Sequence, residues 1–325
     1  MVRKAHSDAP LKEPMLKIGG HTIDISSRHK LFFPAAVLTK GNLIDYYQQV
    51  AGVMVPHMMR YGVSMQRFPD GLQGEGFYTK DAPDYFPDWI KTVNVPKREG
   101  GSFEAPIVNK PAVLIYLADQ AMITLHIYLA RTDDLEHPDR MIYDLDPPEE
   151  SKDYNAVRRA ALDVRDVMTE LNLKPWVQTT GSKGFHVVVP LDRSLGFDEV
   201  RGFARDVSLV LVRRHEDRYT LEQRKNKRKG RIFLDTLRNS YGATAVAPYA
   251  VRALADAPVA TPLEWQEVEG GASPRDWTLE NLPNRLEQQS DPWSGLMRHP
   301  YSLSSRRKKL NRMLAQERPA EEEKD

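Results

Sequence analysis

Cysteine is absent from this 325-residue chain. That excludes disulfides, zinc–thiolate centres and thiol nucleophiles, so any metal falls to carboxylates or histidines, which favours magnesium- or manganese-type chemistry. Long apolar runs are missing too. Nothing approaches the ~20 residues of a membrane helix, and Met1-Val2-Arg3-Lys4 leads into polar residues rather than a signal sequence. The expectation is a cytoplasmic protein with no membrane partner. A strong net charge is also lacking, with 46 Lys and Arg against 45 Asp and Glu. The charges are clustered, however, and local basic stripes matter more than the total for meeting a polyanion. At 41% hydrophobic and 28% charged residues, the composition is that of an ordinary globular chain with an ample core.

What is present centres on Met141-Ile142-Tyr143-Asp144-Leu145-Asp146-Pro147-Pro148. The apolar lead-in reads as a strand, and its period of two puts Asp144 and Asp146 on one face. Like charges so close raise each other's pKa unless a cation neutralises them, so the pair is a platform for a divalent ion. The prolines end the sheet there and leave room for a site. A solvated strand end before a turn fits the same spacing.

The second informative stretch is Trp176-Val177-Gln178-Thr179-Thr180, then Gly181-Ser182-Lys183-Gly184, then Phe185-His186-Val187-Val188-Val189. It reads as strand, turn and strand. Paired glycines let backbone amides approach an anion, and Ser182, Lys183 and His186 add donors suited to phosphate oxygens. The spacing is not that of a P-loop. A tight hairpin with solvated polar residues is the alternative. Farther on, Arg224-Lys225-Asn226-Lys227-Arg228-Lys229-Gly230-Arg231 packs cations into a loop that runs into Ile232-Phe233-Leu234-Asp235, a strand ending in a third carboxylate.

The flanking elements are legible in outline. Met15–Ile18 and His21–Ile25 read as a hairpin about Gly19-Gly20. Thr39 is a plausible N-cap for a helix burying Leu43, Tyr47, Val50 and Met54, which puts Lys40 at a helix N-terminus where free amides favour anions. Phe77 and Tyr78 point to opposite faces of a strand, so one is expected in the core and the other exposed beside Lys80 as a stacking platform; two half-buried aromatics are the alternative. A helix is expected from Pro111 to about Asp119, followed by an alternating strand, Met122–Tyr128, with Thr124, His126 and Tyr128 on its polar face. His126 there is a secondary candidate, since a strand histidine is usually structural. Helices are expected between Asp153 and Asn172 and over Val200–Leu211.

Taken in order, Asp144-Leu145-Asp146-Pro147, Thr180-Gly181-Ser182-Lys183-Gly184-Phe185-His186, Asp235 and Ala247-Pro248-Tyr249-Ala250-Val251-Arg252 resemble the polymerase domain of bacterial DNA ligase D, in the archaeo-eukaryotic primase superfamily. The resemblance spans roughly residues 15 to 270. It implies that Asp144, Asp146 and Asp235 bind two divalent metals (Mn2+ or Mg2+), that Ser182, Lys183, Gly184 and His186 hold the triphosphate of an incoming NTP or dNTP, and that Arg252 helps. It implies a 5′-phosphate pocket at Lys30 and Lys40, with Ser27 where relatives often carry Asn, and stacking by Phe77 and Tyr78 next to Lys80. Thr180 replaces a usual Ser, Tyr78 a Phe, and Thr236 a Trp. Lys225, Lys227, Arg228, Lys229 and Arg231 would then track the DNA backbone.

The expected fold is α/β of the α+β kind, a central, mostly antiparallel sheet flanked by helices, with an N-terminal β-rich subregion. Residues 1–14 are expected to be flexible, 15–300 to form one catalytic unit whose 271–300 segment wraps the surface, and 301–325 to be a charged tail with a short helix. The implied activity is template-dependent nucleotidyl transfer that fills gaps and extends 3′ ends in bacterial end joining. Implied partners are broken DNA bearing a 5′-phosphate, Ku and a separate ligase, since no K-x-D-G adenylation motif occurs. Two rivals remain: a D-x-D-x-[TV] phosphatase, against which Pro148 counts, and a non-catalytic module that binds DNA ends.

Overall fold

The computed structural model describes residues 15–147 and 153–317. The expectations for residues 1–14, for Pro148 and for the acidic stretch Glu321–Glu323 lie outside the described residues.

Helix α1, Lys40–Met54, starts where its capping residues dictate. The Thr39 hydroxyl accepts from the Asn42 amide at 3.3 Å, and the Asn42 side chain accepts from the Thr39 amide at 2.8 Å. Its apolar stripe, Leu43, Tyr47, Val50 and Met54, is fully buried, as expected. Helix α2, Pro111–Asp119, opens on a proline and packs beside it in the first core.

Two sheets carry the rest. The first has six strands in the order Tyr219–Thr220, Ile232–Asp235, Arg140–Asp146, Phe185–Pro190, Trp176–Thr179, Pro262–Leu263. All its pairings are antiparallel except that of Tyr219–Thr220 with Ile232–Asp235. Met141, Tyr143 and Leu145 bury one face of the central strand against helices α3, Tyr154–Glu170, and α4, Phe197–Arg214. By the same alternation Ile142, Asp144 and Asp146 turn to the other face, where Ile142 and Val188 pack with Leu129 and Ala245. The second sheet, Thr244–Val246, Met122–Tyr128, Val63–Arg67, Phe77–Thr79, is antiparallel throughout. The mostly antiparallel, helix-flanked α+β architecture is the expected one.

Three expectations are corrected. The strand Met122–Tyr128 has no solvated face, because Thr124, His126 and Tyr128 are buried along with their apolar neighbours. The 271–300 segment does more than wrap the surface: Trp293 is buried in the third core cluster and donates its indole N–H to the Val177 carbonyl at 2.9 Å. The basic stretch after Ser302 forms the expected helix, Ser304–Gln316, but it buries Leu310 and Met313 in the α3/α4 core rather than trailing from it.

Candidate active site and nucleic-acid interface

Strand register brings the three acids together. Asp144 pairs directly with Asp235 on one side and with His186 on the other. Residues separated by about 40 and 90 positions in sequence thus become neighbours across a strand spacing of ~5 Å. The ladder does not end at Asp144. Asn239, fully buried, accepts from the Ile142 amide at 2.8 Å and donates to the Ile142 carbonyl at 2.7 Å, so a side chain supplies the rung beyond Asp235. The turn that delivers Asn239 also delivers Arg238, whose Nε donates to Asp144 Oδ2 at 2.9 Å. Sequence reasoning gave neither residue a role; their signal was only a polar pair three and four residues past Asp235.

The Gly181–Gly184 loop packs against the end of the acid strand. Gly181 adopts φ +63°, and a Cβ there would meet the Val259–Ala260 backbone at 2.7–2.8 Å. At Gly184 an added Cβ would overlap the Leu145 carbonyl oxygen, so only glycine lets the loop come this near. Thr180, in place of serine, keeps the hydroxyl that the loop needs: its Oγ1 accepts from the amides of Ser182 at 3.3 Å and Gly184 at 3.2 Å. Arg252 donates to the Thr180 carbonyl at 2.7 Å. Asp144, Asp146, Ser182, His186, Arg238 and Arg252 line one cleft with His126 and Val246 from the second sheet. Lys183 stands exposed at its rim.

The electrostatics of the cleft follow from burial. Burial pushes the Asp144 carboxyl up, but His186 Nε2, 3.5 Å away, and Arg238 outweigh it and hold the group well below the usual range. Asp146 is pushed up to about 6, by burial first and by Asp144 second. Asp235 is raised by burial, with a further contribution from Asp144. Gln178 donates from Nε2 to His186 Nδ1 at 3.2 Å, which leaves the His186 Nε2–H to face Asp144. His126 is pushed down to about 3 by burial and by the cations Arg252 and Arg238; its Nδ1 has no hydrogen-bond partner among the described residues. It belongs to the site more firmly than strand statistics implied.

Three neighbouring carboxylates are hard oxygen donors of the type that magnesium and manganese take. The upward shifts at Asp146 and Asp235 mark a group short of positive charge, so the donor set fits a divalent cation. No preassembled cage of three His, Asp or Glu side chains exists among the described residues. Arg238 and His186 occupy Asp144 instead.

Around this centre the expected DNA contacts divide. Phe77 and Tyr78 are both exposed, at 46% and 61%, because their strand is a three-residue sheet edge with nothing packed outside it; neither enters the core. The Tyr78 ring lies 5.8 Å from His126, and the Arg67 guanidinium lies 5.6 Å from the Phe77 ring. Lys80 is exposed beside them. Lys30 and Lys40 are brought together, the Lys40 amide donating to the Lys30 carbonyl at 2.8 Å, but their ammonium groups differ. Among the described residues the Lys30 ammonium meets only the exposed Asp70, at 2.7 Å. Lys40 is 4% exposed and donates to Asp119 at 2.7 Å and to the Ser26 carbonyl and hydroxyl at 2.7 and 2.9 Å, so its charge is already matched. Ser27 sits at φ +49°, a conformation that Asn adopts more readily than Ser. In the basic loop, Lys227 and Lys229 are exposed. Arg228 and Arg231 are turned inward and fasten the loop through backbone carbonyls: Arg228 to Glu222 and Gln223, Arg231 to Arg228 and Glu216.

These features agree with known proteins. The family model for the LigD primase-polymerase domain matches residues 39–293. The chain is 32% identical over 274 residues to the multifunctional non-homologous end joining protein LigD of Pseudomonas aeruginosa, covering 84% of this chain and 32% of that protein. With the LigD of Mycolicibacterium smegmatis it shares 31% identity, covering 83% and 35%. The chain thus spans about a third of the length of these curated relatives. Among solved structures, the polymerase domain of Mycobacterium tuberculosis ligase D in complex with DNA superposes with a TM-score of 0.80 at 26% identity, covering 86% of this chain and 99% of that one. On sequence and fold together, the chain belongs to the LigD primase-polymerase domain family.

Proposed function

We propose that this chain is a template-dependent nucleotidyltransferase that fills gaps and extends 3′ ends at DNA double-strand breaks in bacterial non-homologous end joining, acting in the cytoplasm at the nucleoid. The observation that carries the proposal is the register that sets Asp144 opposite Asp235, with a glycine loop pressed against the same strand end. Two divalent cations, Mn2+ or Mg2+, held by Asp144, Asp146 and Asp235 would supply activation of the primer 3′-hydroxyl and neutralise charge on the departing pyrophosphate. The chain's own groups do the rest. Ser182, Lys183 and His186, with the close-approaching amide of Gly184, hold the triphosphate of an NTP or dNTP, and Arg252 keeps the loop in place while facing the same cleft. Tyr78 or Phe77 stacks on a base, worth ~1–3 kcal/mol, with Lys80 beside it.

At the other end, Lys30 offers its exposed ammonium to a downstream 5′-phosphate. Buried Lys40 shapes that pocket by tying the start of α1 to Ser26 and Asp119. Lys225, Lys227 and Lys229 face template phosphates, while Arg228 and Arg231 hold their loop in shape. Ku and a separately encoded ligase are the expected partners.

The test is incubation with a gapped, 5′-phosphorylated duplex, labelled ribo- or deoxyribonucleotides and Mn2+ or Mg2+. Asp144→Ala or Asp146→Ala should abolish incorporation while DNA binding persists; incorporation by either variant would sink the assignment. The Arg238–Asp144 ion pair is the observation that favours a non-catalytic end-binding module. Wild-type protein that binds the duplex but incorporates nothing would decide for that reading.

A further inference from the structure

The candidate catalytic cleft lies on the face of the six-stranded sheet that looks toward the second sheet. Another cleft, of about 390 Å³, opens between α4 and the end of the Ile232–Asp235 strand. Arg201 and Arg205 form one wall, and Phe233 and Leu237 lie across from them. The two arginines are a helical turn apart, which puts their Cβ atoms ~5–6 Å from each other on one face of α4.

Both arginines are exposed. Arg201 reaches only the Ser240 hydroxyl, at 3.2 Å, and Arg205 has no hydrogen-bond or ion-pair partner among the described residues. Asp206, the next acid along α4, is taken by Arg307 at 2.5 Å, so it does not neutralise them. Asp198 is the one acid in the lining. The floor is apolar and partly open to water: Leu237 is 43% exposed, and Phe233 is half-buried, with the Arg228 guanidinium 4.3 Å from its ring centre covering one face.

Two unpaired cations above a partly exposed apolar floor do not suit a small anion, which needs no such floor, or an acidic peptide, which gains nothing from a planar ring. They suit a single nucleic-acid strand, whose phosphates and bases call for both kinds of surface. Leu234 and Thr236, which flank Asp235 in sequence, also line this cleft. Those two face α4, but Phe233, two residues before Asp235 and so on its face of the strand, lines the cleft as well, so a strand lying in it comes to the same strand end as that candidate catalytic acid.

We infer that this α4 cleft binds the DNA strand whose 3′ end is extended, with Arg201 and Arg205 each on a phosphate and Phe233 and Leu237 against a sugar or base. The assignment of the strand rests on the nucleotidyl-transfer reading of Asp144, Asp146 and Asp235.

The test uses the full chain and fluorescence anisotropy of a labelled single-stranded oligonucleotide across a salt series. Each phosphate contact contributes about 0.7 to the log–log salt slope, so Arg201→Ala/Arg205→Ala should lower it by about 1.4. The Arg201→Lys/Arg205→Lys variant should retain the slope. In primer extension the alanine pair should raise KM for the primer end and leave KM for the nucleotide unchanged, a split that a merely structural defect would not give. Should the double variant fold poorly, the single variants Arg201→Gln and Arg205→Gln should each remove about 0.7 from the slope.

An unchanged slope in a folded variant overturns the inference, as does an equal rise of both KM values. Wild-type protein that shows the full slope but no incorporation overturns the nucleotidyl-transfer reading and leaves this cleft a strand-binding site. Incorporation by wild type with no slope change in the alanine variant overturns the cleft assignment alone.

Discussion

The two sheets that meet at the cleft hold their functional groups by different means. On the six-stranded sheet the central acid is over-determined: Asp144 is fixed by register on both sides, by Arg238 and by His186. The loop beside it is fixed by glycine contacts and by Arg252. On the four-stranded sheet Phe77 and Tyr78 stand on an exposed edge and are touched by little beyond Arg67 and His126. Groups that must meet developing charge need positions held to fractions of an ångström. Rings that stack on changing bases work with looser placement, because every base has a face to offer.

Four measurements would break or sharpen this contrast. The largest effect is expected from Gly184→Ala, since the added methyl collides with backbone that cannot yield. The protein should lose about 3 kcal/mol or more in urea unfolding and lose incorporation with it. A wild-type melting curve would show that the loop is not jammed as described. Next is Asn239→Ala, which strands the amide and carbonyl of Ile142 inside the protein, an expected loss of about 2–3 kcal/mol by the same assay.

Tyr78→Ala should behave oppositely. Stability should stay within ~0.5 kcal/mol, as for an exposed side chain, while nucleotide or template binding weakens by about 1–2 kcal/mol in steady-state kinetics. A large fall in stability would place this ring in the packing after all. The smallest effect near neutral pH concerns His126. Its folded pKa lies below the unfolded value of ~6.5, so the unfolded state binds the proton more readily and stability is lost as pH falls from about 6.5 toward 3, by at most ~1.4 kcal/mol per unit. An imidazole signal that stays neutral from pH 5 to 8 by NMR, and a smaller acid sensitivity in His126→Asn, are the expected results.

Local pattern made much of this legible. Asp144 and Asp146 announced themselves by alternation, the Gly181–Gly184 hairpin by its turn residues, and α1 by Thr39 and an apolar stripe that is buried throughout. What stayed hidden was partner choice at long range. Nothing around Lys40 points to Asp119, 79 residues away, yet that pairing decides that its charge faces inward. Arg228 and Arg231 look like free cations in a basic run until their carbonyl partners are seen. Phe77 and Tyr78 obey the alternation of a strand, but alternation cannot say whether anything covers the outer face. Trp293 likewise sits in a segment whose composition suggests surface, and only the fold reveals the gap it fills.

The amide of Asn239 has a consequence for how this protein changes over time. By imitating the backbone of a missing strand, it lets the sheet continue where the chain has already turned away, and so frees that turn to carry Arg238 back toward Asp144. The length of the turn is therefore locked to the sheet by a side chain rather than by the ladder itself. One inserted or deleted residue between Asp235 and Asn239 would leave every strand formed and still misaim the cation, so this short segment should tolerate substitution far better than any change in length.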